Sequence, residues 1–398
     1  MEECCRMVYA GSYQSHTFRA GGSAYPFGAD ALEEAARLKL PAESFDYIAG
    51  AAGRELTARA NIAAFTRYGL IYRVLRHNSP TDPAVTLLGT PLALPVLLAP
   101  AGAADLAHPG AEAEAARGAA DVGTSLVLSA VTSTPLEDVA AAAPHGHLWF
   151  QLAWPGDEQL ARSLVHRAEK AGYAAVVLMG DCYAAGWRPR ELDHGFFPYR
   201  HGHGLGNYSS DPRFWELADH SPSGPGLPDD ATRAVAAATW NRVFTRPSLA
   251  PEDLATLKSW THLPVLVKGV CDPGEARCLV DAGADGIAVS NHGGRQLDSG
   301  VAALDCLPAV AAAVSGRVPL LFDSGIRTGT DVLIALALGA DAVMIGRPWL
   351  YGLALGGADG VAHVLRCLKD EFTSALTLTG HHTCATLSPS DLTPVRAP

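Results

Sequence analysis

Lysine is scarce in this chain of 398 residues, with 5 against 25 arginines, and the formal net charge is -11. No block of basic residues rises above that acidic background, which argues against a nucleic-acid partner. An anionic small molecule would need a local cationic site instead. Long apolar runs are missing too. None reaches the roughly 18 residues of a membrane span, and the start, "MEECCRMVYAGSYQ", has neither a basic n-region nor an apolar h-region. The chain is therefore expected to be soluble, unexported and cytoplasmic, with no membrane partner. CxxC pairs are absent: the cysteines (Cys4, Cys5, Cys182, Cys271, Cys278, Cys306, Cys367, Cys384) are scattered, as suits reduced thiols rather than a disulfide framework. No strand-turn-helix carries GxGxxG, which argues against an NAD enzyme. The shortage of lysine beside abundant alanine fits a GC-rich bacterial genome, a coding bias and not a mechanism.

What is present is a rhythm. Apolar content is 48%, and short apolar runs recur with helix-like segments between them: 94–100, 125–130, 148–152, 174–180, 264–268, 286–290, 318–322 and 341–345. Runs of this length, rich in Val, Leu and Ile and apolar on both faces, fit strands of a parallel sheet covered by helices. Eight β-α units close most simply into a (β/α)8 TIM barrel, α/β in class, spanning 91–380. The first 90 residues, holding "DALEEAARLKL" and "ESFDYIAGAAG", read as a helical cap, and 381–398 as a tail. Between the fourth and fifth runs the gap is far longer. Residues 186 to about 248 there are rich in Gly, Pro, Ser and Asp without a sustained period, and read as an inserted, partly mobile loop over one barrel end.

In such barrels the active site lies at the C-terminal strand ends. Those positions hold Ala101 and Gly102, Ser129, Gln151, Asp181, Lys268, His292, Asp323, and Gly346 with Arg347. Gln151 or Ser129 alone would more often be a satisfied strand-end polar group, and Asp181 could simply cap the next segment. Lys268 is harder to dismiss, because a lysine ending a buried run must find a partner or lose its charge. His292 precedes two glycines, which would leave room for something bulky near the backbone. Loops after strands 7 and 8 are the usual phosphate cradle of this barrel, and here they offer Gly325, Arg327, Gly346 and Arg347. The "HGHGLG" stretch, with His201 and His203, follows no strand and reads as loop, so no metal site is expected.

"SNHGGRQLDSG", with "PVLVKGV" upstream and "DSGIRTGTDVLIALALGADAVMIGRP" downstream, resembles the FMN-dependent 2-hydroxy acid oxidases and dehydrogenases, the glycolate and lactate oxidases among them, from about Leu32 to Gly380. The resemblance implies FMN across the barrel mouth, its phosphate at Gly325, Arg327, Gly346 and Arg347 and its ring near Ala101, Gly102, Ser129 and Gln151, with Asp323 also at the cofactor. Lys268 would sit where negative charge gathers on reduced flavin. His292 would take a proton from the substrate, from either carbon or hydroxyl, and Asp181 would hold the imidazole. The substrate carboxylate would pair with Arg295, helped by Tyr47 and Arg188, with Arg190 as a competitor for that role. The family's tyrosine two residues after Gln151 is Ala153 here, its threonine before the strand 4 aspartate is Met179, and an aromatic common after strand 2 is Val131. The truncations to Ala153 and Val131 imply a 2-hydroxy acid bulkier than glycolate or lactate, oxidised to the 2-oxo acid, and the polar inserted loop favours a soluble enzyme with oxygen as acceptor. The alternatives are an amine, alcohol or carrier-bound substrate on the same fold, a dehydrogenase using another acceptor, and a non-catalytic scaffold. The resemblance also implies a homotetramer.

Overall fold

The computed structural model describes residues 12–395 apart from 77–79, 221, 223, 225, 228, 245 and 247; Cys4 and Cys5 lie outside the described residues. All eight apolar runs are strands of one closed parallel barrel: β1 (Val96–Leu98), β2 (Ser125–Leu128), β3 (His147–Leu152), β4 (Val176–Met179), β5 (Val265–Val270), β6 (Gly286–Val289), β7 (Leu320–Phe322) and β8 (Ala342–Ile345). They pair in chain order, and β8 returns to β1 through Val343 opposite Val96 and Ile345 opposite Leu98. Between them run α1 (Ala111–Val122), α2 (Leu136–Ala142), α3 (Glu158–Lys170), α4 (Asp253–Ser259), α5 (Pro273–Asp281), α6 (Ala303–Val314), α7 (Gly329–Ala337) and, after β8, α8 (Arg347–Leu378).

Continuous apolarity in the strands follows from burial on both faces. Leu97, Val127, Val177, Ala342 and Met344 fill the barrel interior, whereas their neighbours Val96, Leu98, Leu126, Val176 and Val343 belong to the outer core beneath the helices. The period of two decides which side chain goes where. A short hairpin, Val85–Leu87 with Thr90–Leu92, packs Leu87 and Leu92 into the interior cluster, and Thr90 Oγ1 accepts a 3.0 Å bond from the buried Trp149 indole. The site therefore lies at the other end.

The preceding residues fold as helices Ser12–Ala20, Ala29–Lys39, Ala42–Ala49 and Leu56–Ala63, and the tail strand Leu392–Pro394 pairs antiparallel with Tyr68–Leu70. The inserted segment is not the structureless loop its composition suggests. It holds helices Pro189–His194, Gly206–Ser209, Pro212–Ala218 and Asp230–Val243 and a 3-10 turn Pro198–His201, and it buries Tyr199, Tyr208, Phe214 and Trp240. Most of these helices are too short to show a period, and local capping by Asp211 and Asp229 sets their starts. Within the "HGHGLG" stretch residues 202–204 are turn, between the 3-10 turn that His201 ends and the helix that Gly206 opens, with His203 Nδ1 held 2.6 Å from Asp105. Among the described residues, no helix is long and apolar enough to cross a membrane, and the six described cysteines are free thiols.

Candidate active site

A cavity of about 390 Å³ opens at the C-terminal strand ends, lined by residues from every strand end and from the cap and the insertion. Its chemistry starts at β6. Ser290, fully buried after that strand, accepts from Lys268 Nζ at 2.9 Å and from the His292 backbone N–H at 3.0 Å, and donates to Asp323 Oδ1 at 2.6 Å. Its one proton and its lone pairs are thus all used. Lys268 Nζ also lies 3.1 Å from Asp323 Oδ2. Burial alone would pull the lysine's pKa down, but Asp323 and then Asp181 outweigh it and hold it above its ordinary value. A fixed cation thus sits at the floor of the cavity, and Asp323 is its counter-ion.

His292 stands in the left-handed region at φ 58°, a strained geometry for a residue with a side chain, which aims its ring at β4. Its Nδ1 lies 3.1 Å from Asp181 Oδ2 and 3.6 Å from Cys182 Sγ. Burial works to lower its pKa, yet the Asp181 charge prevails and raises it to about 9. The same pairing drives the Asp181 carboxyl well below the usual carboxylate range against its own burial. With Nδ1–H donated to Asp181, Nε2 is left as the proton acceptor. Asp181 is therefore not the helix cap its position allowed. Asp181, Cys182 and His292 form the one group of three metal-type donors among the described residues. Lys268, Arg188, Arg295 and Arg347 line the same cavity, a charge that suits an anion rather than a cation.

The two glycines after His292 serve packing as well, although Gly293 still lines the cavity. A Cβ on Gly293 would come 2.9 Å from Arg347 Nη1, and one on Gly294 would come 2.6 Å from the Ala58 backbone nitrogen. They let the cap and α8 close against the β6 loop. The rest of that motif ties the same layers together. Asp298 accepts from the N–H groups of Arg54 and Leu56 at 2.7 Å each, at the start of the Leu56–Ala63 helix, and Asn291 exchanges two 2.8 Å amide bonds with Asn61.

Arg295 lines the cavity but is already engaged. Its Nη1 donates to the carbonyls of Tyr47 (2.8 Å) and Gly50 (2.7 Å), its Nη2 to Glu191 Oε1 at 3.1 Å, and its plane lies over the Tyr47 ring. Arg188 Nη1 reaches the same Glu191 oxygen at 3.0 Å. Glu191, buried between two arginines, went unnoticed in the sequence, because nothing local distinguishes it from any other helical glutamate. Arg190, the competitor, points elsewhere: it pairs with Asp46 (3.3 Å) and Glu55 (2.7 Å) and is not among the cavity-lining residues.

At the phosphate end the residues divide. Arg347 spends all three guanidinium nitrogens on carbonyls of Ala49, Gly293 and Gly50 at 2.8 to 3.0 Å, and burial pulls its pKa down to about 10. It clamps the cap, and since Nη1 and Nη2 each keep a second N–H and Arg347 still lines the cavity, it also stays open to an anion there. The α7 N-terminus is closed by a capping box of Thr328 and Asp331, and Glu371 takes its Gly329 N–H. The start of α8 differs. A Cβ on Gly346 would meet nothing within 4 Å, so backbone there faces open space beside Arg327. A helix N-terminus, an arginine and a bare backbone fit a phosphate, and buried Lys268 fits the electron-accepting edge of a flavin.

Val131 and Ala153 both line the cavity, as do Met179, Ala101, Gly102, Ser129, Gln151 and Gly325. The space they leave is not simply wider. Phe197, Tyr199, Trp240 and Phe244 of the insertion wall it, with ring centroids of Tyr199 and Trp240, and of Trp240 and Phe244, 4.4 Å apart. No sequence signal tied these aromatics to the site.

A barrel whose mouth joins a His–Asp pair, a buried lysine and a bare helix start that fits a phosphate suits a flavin-dependent oxidoreductase. The FMN-dependent dehydrogenase family model matches residues 36–394, and the chain belongs to that family. It is 41% identical over 349 residues to an L-lactate oxidase of Lysinibacillus sphaericus (strain C3-41), covering 88% of each chain. It is 40% identical over 352 residues to a 4-hydroxymandelate oxidase of Amycolatopsis orientalis, covering 88% of this chain and 93% of that one. A solved mandelate oxidase with 3,3-difluoro-2-hydroxy-3-phenylpropionic acid superposes with a TM-score of 0.78 at 36% identity, over 94% of this chain and all of that one.

Proposed function

We propose that the protein oxidises a 2-hydroxy acid carrying a bulky, aryl-type side chain to the 2-oxo acid with FMN, and passes the electrons to oxygen. The observation that carries this reading is the His292–Asp181 pair at 3.1 Å, opening into a cavity that also presents Lys268, Arg188 and Arg295. FMN, when bound, accepts the two electrons. His292 Nε2 takes the substrate proton, and Asp181 stabilises the imidazolium that results. Arg295 and Arg188 hold the carboxylate, with Glu191 keeping their guanidinium groups in place before substrate arrives. Lys268 would keep positive charge beside the flavin edge. Ala101, Gly102, Ser129 and Gln151 would hold the ring, and Gly325, Arg327, Arg347 and the Gly346 backbone would hold the phosphate. Tyr47 adds a hydroxyl at the carboxylate.

The aryl assignment is supported by Phe197, Trp240 and Phe244 lining the same cavity as the small Val131 and Ala153. Flat rings stack there, and a methyl or hydrogen would leave the space unfilled. The relatives that act on lactate and on hydroxymandelate bracket the choice. Anaerobic titration of the yellow protein with a panel of 2-hydroxy acids, watching the flavin band, tests the reading. Mandelate-type acids should bleach it fastest, and preference for glycolate would defeat the aryl assignment. Oxygen uptake during turnover, against dye reduction without oxygen, tests the acceptor.

The division into a cap (1–90), a barrel (91–380) and a tail (381–398), the cytoplasmic placement in a bacterium and the homotetramer belong to the same proposal. The cap and tail are supported as one unit by the pairing of Tyr68–Leu70 with Leu392–Pro394. Light scattering of the purified holoenzyme measures the assembly.

A further inference from the structure

We propose that Tyr199, from the inserted segment, is a substrate-binding residue that donates its hydroxyl to the carboxylate held by Arg188 and Arg295; this rests on the hydroxy acid reading above. Its ring is locked. It stacks on Trp240 at 4.4 Å and meets Phe197 edge-on at 5.1 Å and Tyr47 edge-on at 6.4 Å, and the residue is 9% exposed. Its hydroxyl lies 2.7 Å from the Tyr47 hydroxyl. One bond between two hydroxyls consumes only one of their two protons, so the pair retains a donor for a further acceptor.

The surroundings form a slot for this side chain. A Cβ at position 102, on the β1 end, would stand 2.8 Å from the Tyr199 hydroxyl, and a Cβ on Gly204, whose φ is +69°, would stand 2.8 Å from its ring. Two glycines on separate segments thus admit one phenol to the cavity. Electrostatics say what the phenol awaits. Burial pushes the pKa of Tyr199 well above its ordinary value, with Tyr47 adding to the rise and Arg188 and Arg295 opposing it. The hydroxyl is therefore a neutral donor at any working pH, in the field of two guanidinium groups. Two phenols and two arginines at one end of a cavity match an acceptor with more lone pairs than one arginine fork can use, which is a carboxylate. Val131 and Ala153, on the barrel side, bring no hydroxyl of their own.

A purely structural role would have Tyr199 only fastening the insertion to the cap through Tyr47. Tyr199→Phe separates the two, because it keeps the stack and removes one oxygen. The holoenzyme variant should bind phenylacetate, which has the carboxylate but no hydroxyl to oxidise, about tenfold more weakly by its perturbation of the flavin spectrum. The KM for the best 2-hydroxy acid should rise by a similar factor, with the limiting rate of flavin reduction within about threefold and flavin content and Tm unchanged. Unchanged phenylacetate affinity and KM would overturn the proposal. So would a fall in limiting rate at constant KM, a loss confined to Tm or flavin content, or failure of the wild type to bind phenylacetate. If no hydroxy acid reduces the wild type but phenylacetate binding still weakens in Tyr199→Phe, the functional reading fails and the carboxylate contact stands.

Discussion

The barrel rim and the inserted segment face one cavity and supply it with different things. The rim contributes charge on short tethers: Lys268, His292 and Asp323 leave adjacent strands within three residues of a ladder bond and are joined through Ser290. The insertion contributes bulk and aim, through Tyr199, Trp240 and Phe244, and through Arg188 and Glu191. Strands held on both sides fix an atom closely, as proton transfer demands, while short helices can change side chains without disturbing the ladder. On the proposed function, the difference assigns chemistry and selectivity to separable parts of one site.

The sharpest way to break that division is His292→Ala. Flavin should stay bound, while its reduction by substrate slows by about 10² to 10⁴-fold; bleaching at the wild-type rate would remove the rim's claim to the chemistry. Lys268→Met should strike at binding and stability together, because it leaves Asp323 buried without its cation. A loss of about 3–5 kcal/mol is expected, read as a lower Tm and a protein purified with little flavin. A colourful variant with unchanged Tm would contradict the counter-ion role.

Asp181→Asn should act through pH. His292 must be neutral to accept a proton, so with its pKa raised to about 9, kcat/KM should climb with pH and level off above that value. Removing the Asp181 charge leaves burial dominant, which lowers the imidazole pKa. The rising limb should therefore move to lower pH while the plateau drops. A limb that stays in place would show that another group sets it.

On the insertion side the effects should be smaller and selective. Trp240→Ala should cut kcat/KM for mandelate about tenfold more than for lactate, since only the aryl group meets the wall; equal losses for the two acids would mean that the wall is structural. The smallest effect should come from Arg190→Ala. Its pairs with Asp46 and Glu55 are half exposed, and kcat/KM should remain within about twofold of wild type.

Much of the rim was legible in sequence because each strand is a short apolar run with its functional residue just beyond, so position along the chain predicts position in space. Asp181 and His292 meet for that reason although they lie 111 residues apart. Roles were less legible than places. Arg347 and Gly293 looked like ligand contacts alone, and they clamp the cap while still lining the cavity, because a free N–H or a missing Cβ does not say what will fill the space. Arg295 stands where the substrate site was expected, but Glu191 reaches it from a helix whose composition resembles any surface helix.

By itself the sequence determined the eight-stranded barrel, the end at which the site forms and the strand ends that carry His292 and Asp181, since alternation of burial and strand-end position are local properties of the chain. Only the tertiary structure decided that the insertion folds back to wall the cavity with Tyr199, Trp240 and Phe244 and that Glu191 joins Arg188 to Arg295. Those contacts depend on packing between segments with no shared period. Burial of aromatic surface, which no local pattern encodes, selects them.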